Sequence, residues 1–399
     1  MDRILRDPRA WGVMLAAMLT IMSNAIIAPA LLGLQQVFAD HPHADRLIPL
    51  LVTAPSLIVA IVAPFAGLVI DRIGRRLPLM AGLVIYAIAG TAGLYLNSLE
   101  AILAGRLVLG LGVAAIMTAQ ATLLGDYFVG PARGRLMGYQ IAATNIGGMV
   151  FVTLAGALAA QNARLPFAIY GLAILLLPIL SRLLPEPPRA LTGHDPGNTA
   201  GPGEPGWPAT VTIMAAAAGL TFVIFYMVPT LLPYLLAEIG AGAPQQTGRA
   251  LSAMMLAASV TAVISGWVRP FLGRIGTPLT GYGLLAGGFW LVSGAQGMGQ
   301  VLAATPLIGA GLGLCMPTFL TTALNAAPAR HRGLVSGCMT AAVFLGQFLS
   351  PLVLQPLVDM WGLPTVFALG AQGCVALGLV LGLTLKRRPQ PVDKATSAH

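Results

Sequence analysis

Apolar residues in this chain come in runs of about twenty, separated by short segments that collect the polar and charged positions. A helix needs about 20 predominantly apolar residues to cross the hydrocarbon of a bilayer. Twelve runs reach that length. The first six occupy 11–34, 47–70, 78–97, 100–124, 136–160 and 165–184. The second six occupy 210–236, 249–270, 278–296, 300–325, 333–358 and 364–385.

The charges in the connecting segments test this count, because Lys and Arg gather on the cytoplasmic side of membrane proteins. With the N-terminus inside, the inner segments hold Arg3, Arg6, Arg9, Arg72, Arg75, Arg76, Arg133, Arg135, Arg182, Arg189, Arg269, Arg274, Arg330, Arg332, Lys386, Arg387, Arg388 and Lys394. The outer segments hold only Arg46, Arg164 and Arg249. Adding or removing one span would scramble the alternation. The pattern predicts a multi-pass protein of a bacterial-type inner membrane with both termini cytoplasmic.

Composition agrees: 57% of residues are hydrophobic and 9% charged, against about a quarter charged in a soluble domain. The net charge of +9 would suit nucleic acid if it formed one patch. Its dispersal over short loops makes it a topology signal instead, and no nucleic-acid partner is expected. Cys315, Cys338 and Cys374 all fall inside apolar runs and read as buried thiols. No His lies in such a run, so neither a metal nor another cofactor is expected. The stretch from Trp11 to Leu34 is too long for the h-region of a signal peptide, and reads as a retained first span.

One segment breaks the rhythm. From Pro185 to Pro208 the chain is rich in Pro and Gly and poor in apolar residues, which suits a flexible linker. The expected domains are therefore an N-terminal six-helix bundle at 1–184, a cytoplasmic linker at 185–209, a C-terminal bundle at 210–386 and a tail at 387–399. The halves also echo one another. Gly110-Leu111-Gly112 pairs with Gly311-Leu312-Gly313, and Asp71-Arg72-Ile73-Gly74 with Gly273-Arg274-Ile275-Gly276, at offsets of about 200.

Between the second and third spans, Gly67, Asp71, Arg72, Gly74, Arg75 and Arg76 fill a G-x-x-x-D-R-x-G-R-R pattern. This resembles the signature loop of the major facilitator superfamily, nearest the twelve-span bacterial drug:proton antiporters. The resemblance implies an all-α fold of two pseudo-symmetric six-helix bundles. Gly67 and Gly74 would allow close helix approach and a tight turn, and Asp71 would face the N-terminus of the eleventh span. Asp126, with Arg133 and Arg135 nearby, stands where relatives carry an acid that works with the loop Arg75 as a charge relay.

Arg106 is the one clearly intramembrane charge, and such charges are costly enough to make function the default reading. Arg106-Leu-Val-Leu-Gly110-Leu-Gly112 resembles in part the fourth-span antiporter motif R-x-x-Q-G-x-G, with Leu109 in place of Gln. The fifth-span antiporter motif is missing: Asn145-Ile-Gly147-Gly148 continues without its Pro. No carboxylate sits near the middle of a span, since Glu100, Asp126, Glu238 and Asp359 all lie near span ends.

In this fold the resemblance implies a cavity lined by the first, fourth, seventh and tenth spans. The candidates are Asn24, Ser23, Thr118, Gln120, Phe222, Phe225, Tyr226, Thr318, Thr321 and Thr322, with Gln140, Asn145 and Gln347 from the fifth and eleventh. The chain thus reads as a monomeric secondary transporter, not an enzyme, working by alternating access. It would export small amphipathic molecules such as drugs or metabolites, with protons as coupling ion. Two alternatives stand beside this: a facilitator or importer of a small organic anion or neutral metabolite, with Arg106 as the anion contact, and a non-transporting scaffold or receptor. A nucleotide-phosphate loop of the G-x-x-x-x-G-K-S/T type is absent from the sequence.

Overall fold

The computed structural model describes residues 3–128, 130–187, 206–328 and 331–386. Residues 188–205 of the expected linker and the tail at 387–399 lie outside this range, as do the side chains of Asp71 and Arg133.

Among the described residues, ten helices are long and apolar enough to cross a membrane. The last, Arg332–Thr384, has 53 residues, about 80 Å at 1.5 Å per residue, far beyond one bilayer crossing. It breaks at Gly362, where φ is +77°, and Pro244–Ser293 breaks likewise at Gly273, where φ is +70°. Dividing the chain at these two glycines gives the twelve traverses expected from the sequence.

We number them α1 (Pro8–Val37), α2 (Ala44–Ile73), α3 (Arg76–Tyr95), α4 (Leu99–Tyr127), α5 (Gly130–Ala159), α6 (Leu165–Leu183) and α7 (Trp207–Glu238). The rest are α8 (244–272), α9 (274–293), α10 (Met298–Ala326), α11 (332–361) and α12 (363–386). Caps are local and legible. The Asp7 carboxylate accepts from the backbone N–H of Arg9 with Pro8 opening α1, and Ser98 accepts from Ala101 to open α4. Prolines inside α2, α10 and α11 are tolerated, as neighbouring helices and side chains can satisfy the freed backbone groups. The surface is inverted relative to a soluble protein: Phe271 is 90% exposed and Trp267 77%, as suits lipid contact.

Small residues carry the packing within each half, and they do so twice. A Cβ on Gly112 would lie 2.8 Å from the carbonyl oxygen of Gly82, where α4 crosses α3. A Cβ on Gly311 would collide with the carbonyl of Gly281, where α10 crosses α9. Likewise Gly110 is seated on Pro55 and Gly309 on Met254. Each second-half residue in these pairs stands 199 positions after its first-half counterpart. The positive-φ glycines Gly74 and Gly273 keep the same spacing.

The two halves are thus structural copies in a definite register, which corrects the one read from the sequence. Gly112 corresponds to Gly311 rather than Gly313, and Gly74 to Gly273 rather than Gly276. Short Gly-containing strings slide by a residue or two without penalty, whereas backbone contacts do not.

The halves meet along two antiparallel seams. On one, α2 packs on α11, with Gly337 over Pro64. On the other, α5 packs on α8, with Gly156 against Pro244 and Gly248, and the hydroxyls of Thr153 and Ser252 2.7 Å apart. At the end of the bundle remote from the Gly74 loop, Ala28–Ala30 of α1 also packs against α8 and the outer part of α7.

Candidate functional site

Polar side chains from both halves converge at the centre of the bundle. Asn24 of α1 donates from Nδ2 to Gln347 Oε1 of α11 at 2.9 Å and to Ser56 Oγ of α2 at 2.8 Å. The same nitrogen lies 3.2 Å from the hydroxyl of Tyr226 on α7. Ser56 in turn donates to Gln347 Oε1 at 2.8 Å. All four side chains are buried. In an apolar interior such groups persist only when mutually satisfied, and here satisfaction requires both halves at once.

Two cavities of about 260 and 170 Å³ flank this cluster and share Tyr226, Phe344 and Gln347. The larger adds Ala25, Asn145, Phe222, Phe225, Met254, Met255 and Leu312. The smaller adds Thr20, Asn24, Met117 and Thr144. No charged residue lines either one among the described residues. Phe222, Phe225 and Tyr226 lean on one another with ring centroids 5.6 to 6.1 Å apart, forming an aromatic wall. With two thioethers also in the lining, the space suits a flat, largely apolar guest.

Six of the thirteen expected cavity residues line this space: Asn24, Asn145, Phe222, Phe225, Tyr226 and Gln347. Seven do not: Ser23, Thr118, Gln120, Gln140, Thr318, Thr321 and Thr322. Thr118 and Thr318 turn their hydroxyls back to the carbonyls of Ala114 and Leu314 on their own helices. Thr321 accepts from Arg269 at 2.9 Å. Gln120 is buried away from both cavities, with Oε1 unpartnered.

Arg106 neither lines the cavity nor snorkels to a surface. It is 1% exposed and donates from Nε to the Leu51 carbonyl at 2.7 Å, from Nη1 to Tyr170 Oη at 2.8 Å and from Nη2 to the Ser23 carbonyl. Tyr170 also donates to the Ser23 carbonyl at 2.9 Å. One guanidinium therefore ties α4 to α1, α2 and α6. The role of anion contact does not fit this geometry, because the fork is already occupied by protein oxygens. Its importance to the cavity is indirect, since Ser23 immediately precedes Asn24.

At the Gly74 end, Arg75 Nε lies 2.9 Å from Asp126 Oδ2, so the loop arginine and the α4 acid form a largely buried ion pair. A partner that the sequence did not suggest is Glu186, just after α6. Its carboxylate accepts from the backbone N–H groups of Arg75 at 2.8 Å and Arg76 at 2.7 Å, at the start of α3. Arg76 also donates to the Ser181 carbonyl, and Arg72 is exposed in the last turn of α2. Gly67 departs from expectation: a Cβ there would meet nothing within 4 Å. The close approach of α2 to α11 lies about one turn earlier, at Pro64.

At the opposite end a third cavity of about 320 Å³ lies between the halves, bordered by Asp45, Glu238 and Asp359 with Gln35, Tyr234 and Gln355. Gln35 and Gln355 hold Asp45 and Asp359 at 2.5 and 3.1 Å.

Comparison with known proteins bears on this arrangement. The sequence profile of the Major Facilitator Superfamily matches residues 13–351 and 211–399. Multidrug resistance protein 1 of Bacillus subtilis is 30% identical over 177 residues, which cover 42% of this chain and 45% of that protein. Quinolone resistance protein NorA of Staphylococcus aureus is 25% identical over 143 residues, 36% of this chain and 37% of that one. The matched stretch thus spans less than half the length of these relatives.

Among solved structures, the xylose transporter XylE from E. coli superposes with a TM-score of 0.75, covering 98% of this chain and all of that one. The human organic anion transporter MFSD10 superposes with a TM-score of 0.68, covering 96% of this chain and all of that one. Both are 16% identical to this chain and show the fold alone.

Proposed function

The chain belongs to the Major Facilitator Superfamily, and from that premise we propose that it is a proton-linked exporter of small amphipathic molecules working by alternating access. As a member it is a membrane-embedded transporter of a small-molecule substrate rather than an enzyme. The carrying observation is the Asn24–Gln347 contact beside an uncharged aromatic cavity between two structural copies. A guest that fills this space touches both halves, so its binding couples to their relative rotation. The partial resemblance to bacterial resistance proteins supports drugs or drug-like metabolites as cargo.

In this reading the basic end is cytoplasmic and the protein acts as a monomer in a bacterial-type inner membrane. The 1–184 and 210–386 bundles rock about the α2–α11 and α5–α8 seams, joined by the linker at 185–209. Asp71 and its loop latch α2 to the start of α11, and the Arg75–Asp126 pair transmits the state of the loop to α4. Purified protein in liposomes with an internal pH dye tests this. Compound-dependent proton flux that Asp126→Asn reduces at least about tenfold supports the relay. Flux that survives the substitution removes it.

A second reading keeps the fold and drops the proton: facilitated movement of a neutral or anionic metabolite. It draws on the absence of charge from the lining of both central cavities among the described residues. Transport without proton flux would favour it.

A further inference from the structure

The hydrogen bonds that join the halves also determine what the cavity offers a guest. Gln347 Oε1 accepts from both Asn24 and Ser56, which fills its two lone pairs. Its amide nitrogen donates to no protein atom among the described residues, while the side chain borders both cavities. The Tyr226 hydroxyl lies 3.2 Å from the Asn24 nitrogen, whose two hydrogens go to Gln347 and Ser56, and has no protein acceptor for its own proton among those residues. It too borders both cavities. Asn145, the other amide in the larger cavity, spends its nitrogen on the Ile141 carbonyl at 2.9 Å.

We propose that Gln347 and Tyr226 form a hydrogen-bond-donor head that selects aromatic cargo bearing an acceptor group: a ketone, amide or carboxylate. The proposal rests on reading the central cavities as the substrate site. Asn24 and Ser56 act as positioning residues, holding the Gln347 oxygen inward so that its N–H groups face the guest. Ring stacking on Phe222 and Phe225 supplies affinity that is indifferent to polarity. The donors then discriminate. A guest with an acceptor satisfies N–H and O–H groups that have no protein partner among the described residues. A guest without one leaves them unpaired. At the Gln347 amide nitrogen an ammonium group meets donors where it needs acceptors, so an organic cation gains less at this head than a ketone or carboxylate. Binding at this head also competes with none of the bonds that join Asn24 to Gln347, so the cargo is read without undoing the contact between the halves.

Equilibrium binding of four naphthalenes to the full-length protein in nanodiscs tests the assignment: 2-acetylnaphthalene, 2-naphthoate, 2-ethylnaphthalene and 2-(2-aminoethyl)naphthalene. The ketone and the carboxylate should bind about tenfold or more tighter than the ethyl compound, and tighter than the ammonium compound. Tyr226→Phe and Gln347→Leu should each narrow the ratio of ketone to ethyl affinity about three- to tenfold. Gln347→Glu, which replaces donors with acceptors, should reverse the order in favour of the ammonium compound.

Equal binding of ketone and ethyl compounds, or preference of the native protein for the ammonium compound, would overturn the proposal. The native series stands even if a variant fails to fold. Flux is a separate readout: selectivity for the ketone without any transport supports the donor head and counts against the export reading.

Discussion

Asn24 and Gln347 stand 323 positions apart in sequence, yet their side-chain amides are joined at 2.9 Å in the middle of the bundle. One belongs to α1 and the other to α11, so the bond exists only while the halves are closed on each other at this level. Interhelical hydrogen bonds in membranes average about 0.6 kcal/mol and reach about 1.7. A double-mutant cycle with Asn24→Ala and Gln347→Leu, read by thermal unfolding in detergent, should therefore give a coupling of about 0.5–1.5 kcal/mol. Additive effects would mean that the contact does not bind the halves.

Arg106 is expected to matter for folding more than for selectivity. Arg106→Ala strips partners from Tyr170 and two carbonyls, and should cost about 1–3 kcal/mol in unfolding experiments. Arg106→Lys should recover little of this, because an ammonium cannot span three acceptors held in a fork. The ranking of ligands by affinity should be unchanged in whatever fraction of either variant folds. A changed ranking would return Arg106 to the substrate pathway.

Glu186 pins the segment after α6 to the first turn of α3 through the backbone of Arg75 and Arg76. Glu186→Ala should cost about 0.5–2 kcal/mol, as loss of an N-terminal cap does. Hydrogen exchange should quicken at the amides of residues 75 and 76 and remain unchanged at the start of α4. Unaltered exchange at both places would mean that the carboxylate contributes no cap.

Asp7 gives a pH signature outside the spans. The Arg9 side chain bonded to its carboxylate holds its pKa below the ordinary value, outweighing the opposing effect of burial. A depressed carboxylate stabilises the fold above its unfolded pKa, about 3.9, and loses that contribution as pH falls through the lower folded value. Protection of the first α1 turn, measured relative to Asp7→Ala at each pH, should hold above about pH 4 and decline progressively as the pH falls further. Protection that persists in strong acid would contradict the assignment.

These residues differ in how visible they were from the sequence. The spans were legible because each needs only a local run of apolar residues, and the Gly74 loop because its charges and glycines are contiguous. Asp126 is linked to Arg75 in the sequence only through the family resemblance, which implies that pairing. The polar cluster was half legible: Asn24, Tyr226 and Gln347 stood out as polar or amphipathic positions, while Ser56 looked like any small residue in an apolar run. Its meaning comes from facing Gln347, 291 positions away. Met254, Met255 and Phe344 were invisible for the same reason, since a core methionine and a cavity methionine have the same local context. Arg106 was noticed for its cost but not for its partners, which are backbone carbonyls that carry no side-chain signal.

In the proposed mechanism, cargo crosses through the cavity beside Asn24 and Gln347, driven by protons. Uptake of 2-naphthoate into inside-out proteoliposomes under an imposed pH gradient, acid inside, tests it most directly. Accumulation above protein-free liposomes is expected, collapsed by an uncoupler and lowered about three- to tenfold by Gln347→Leu. Uptake equal to protein-free liposomes, or uptake indifferent to both the gradient and the substitution, would contradict it.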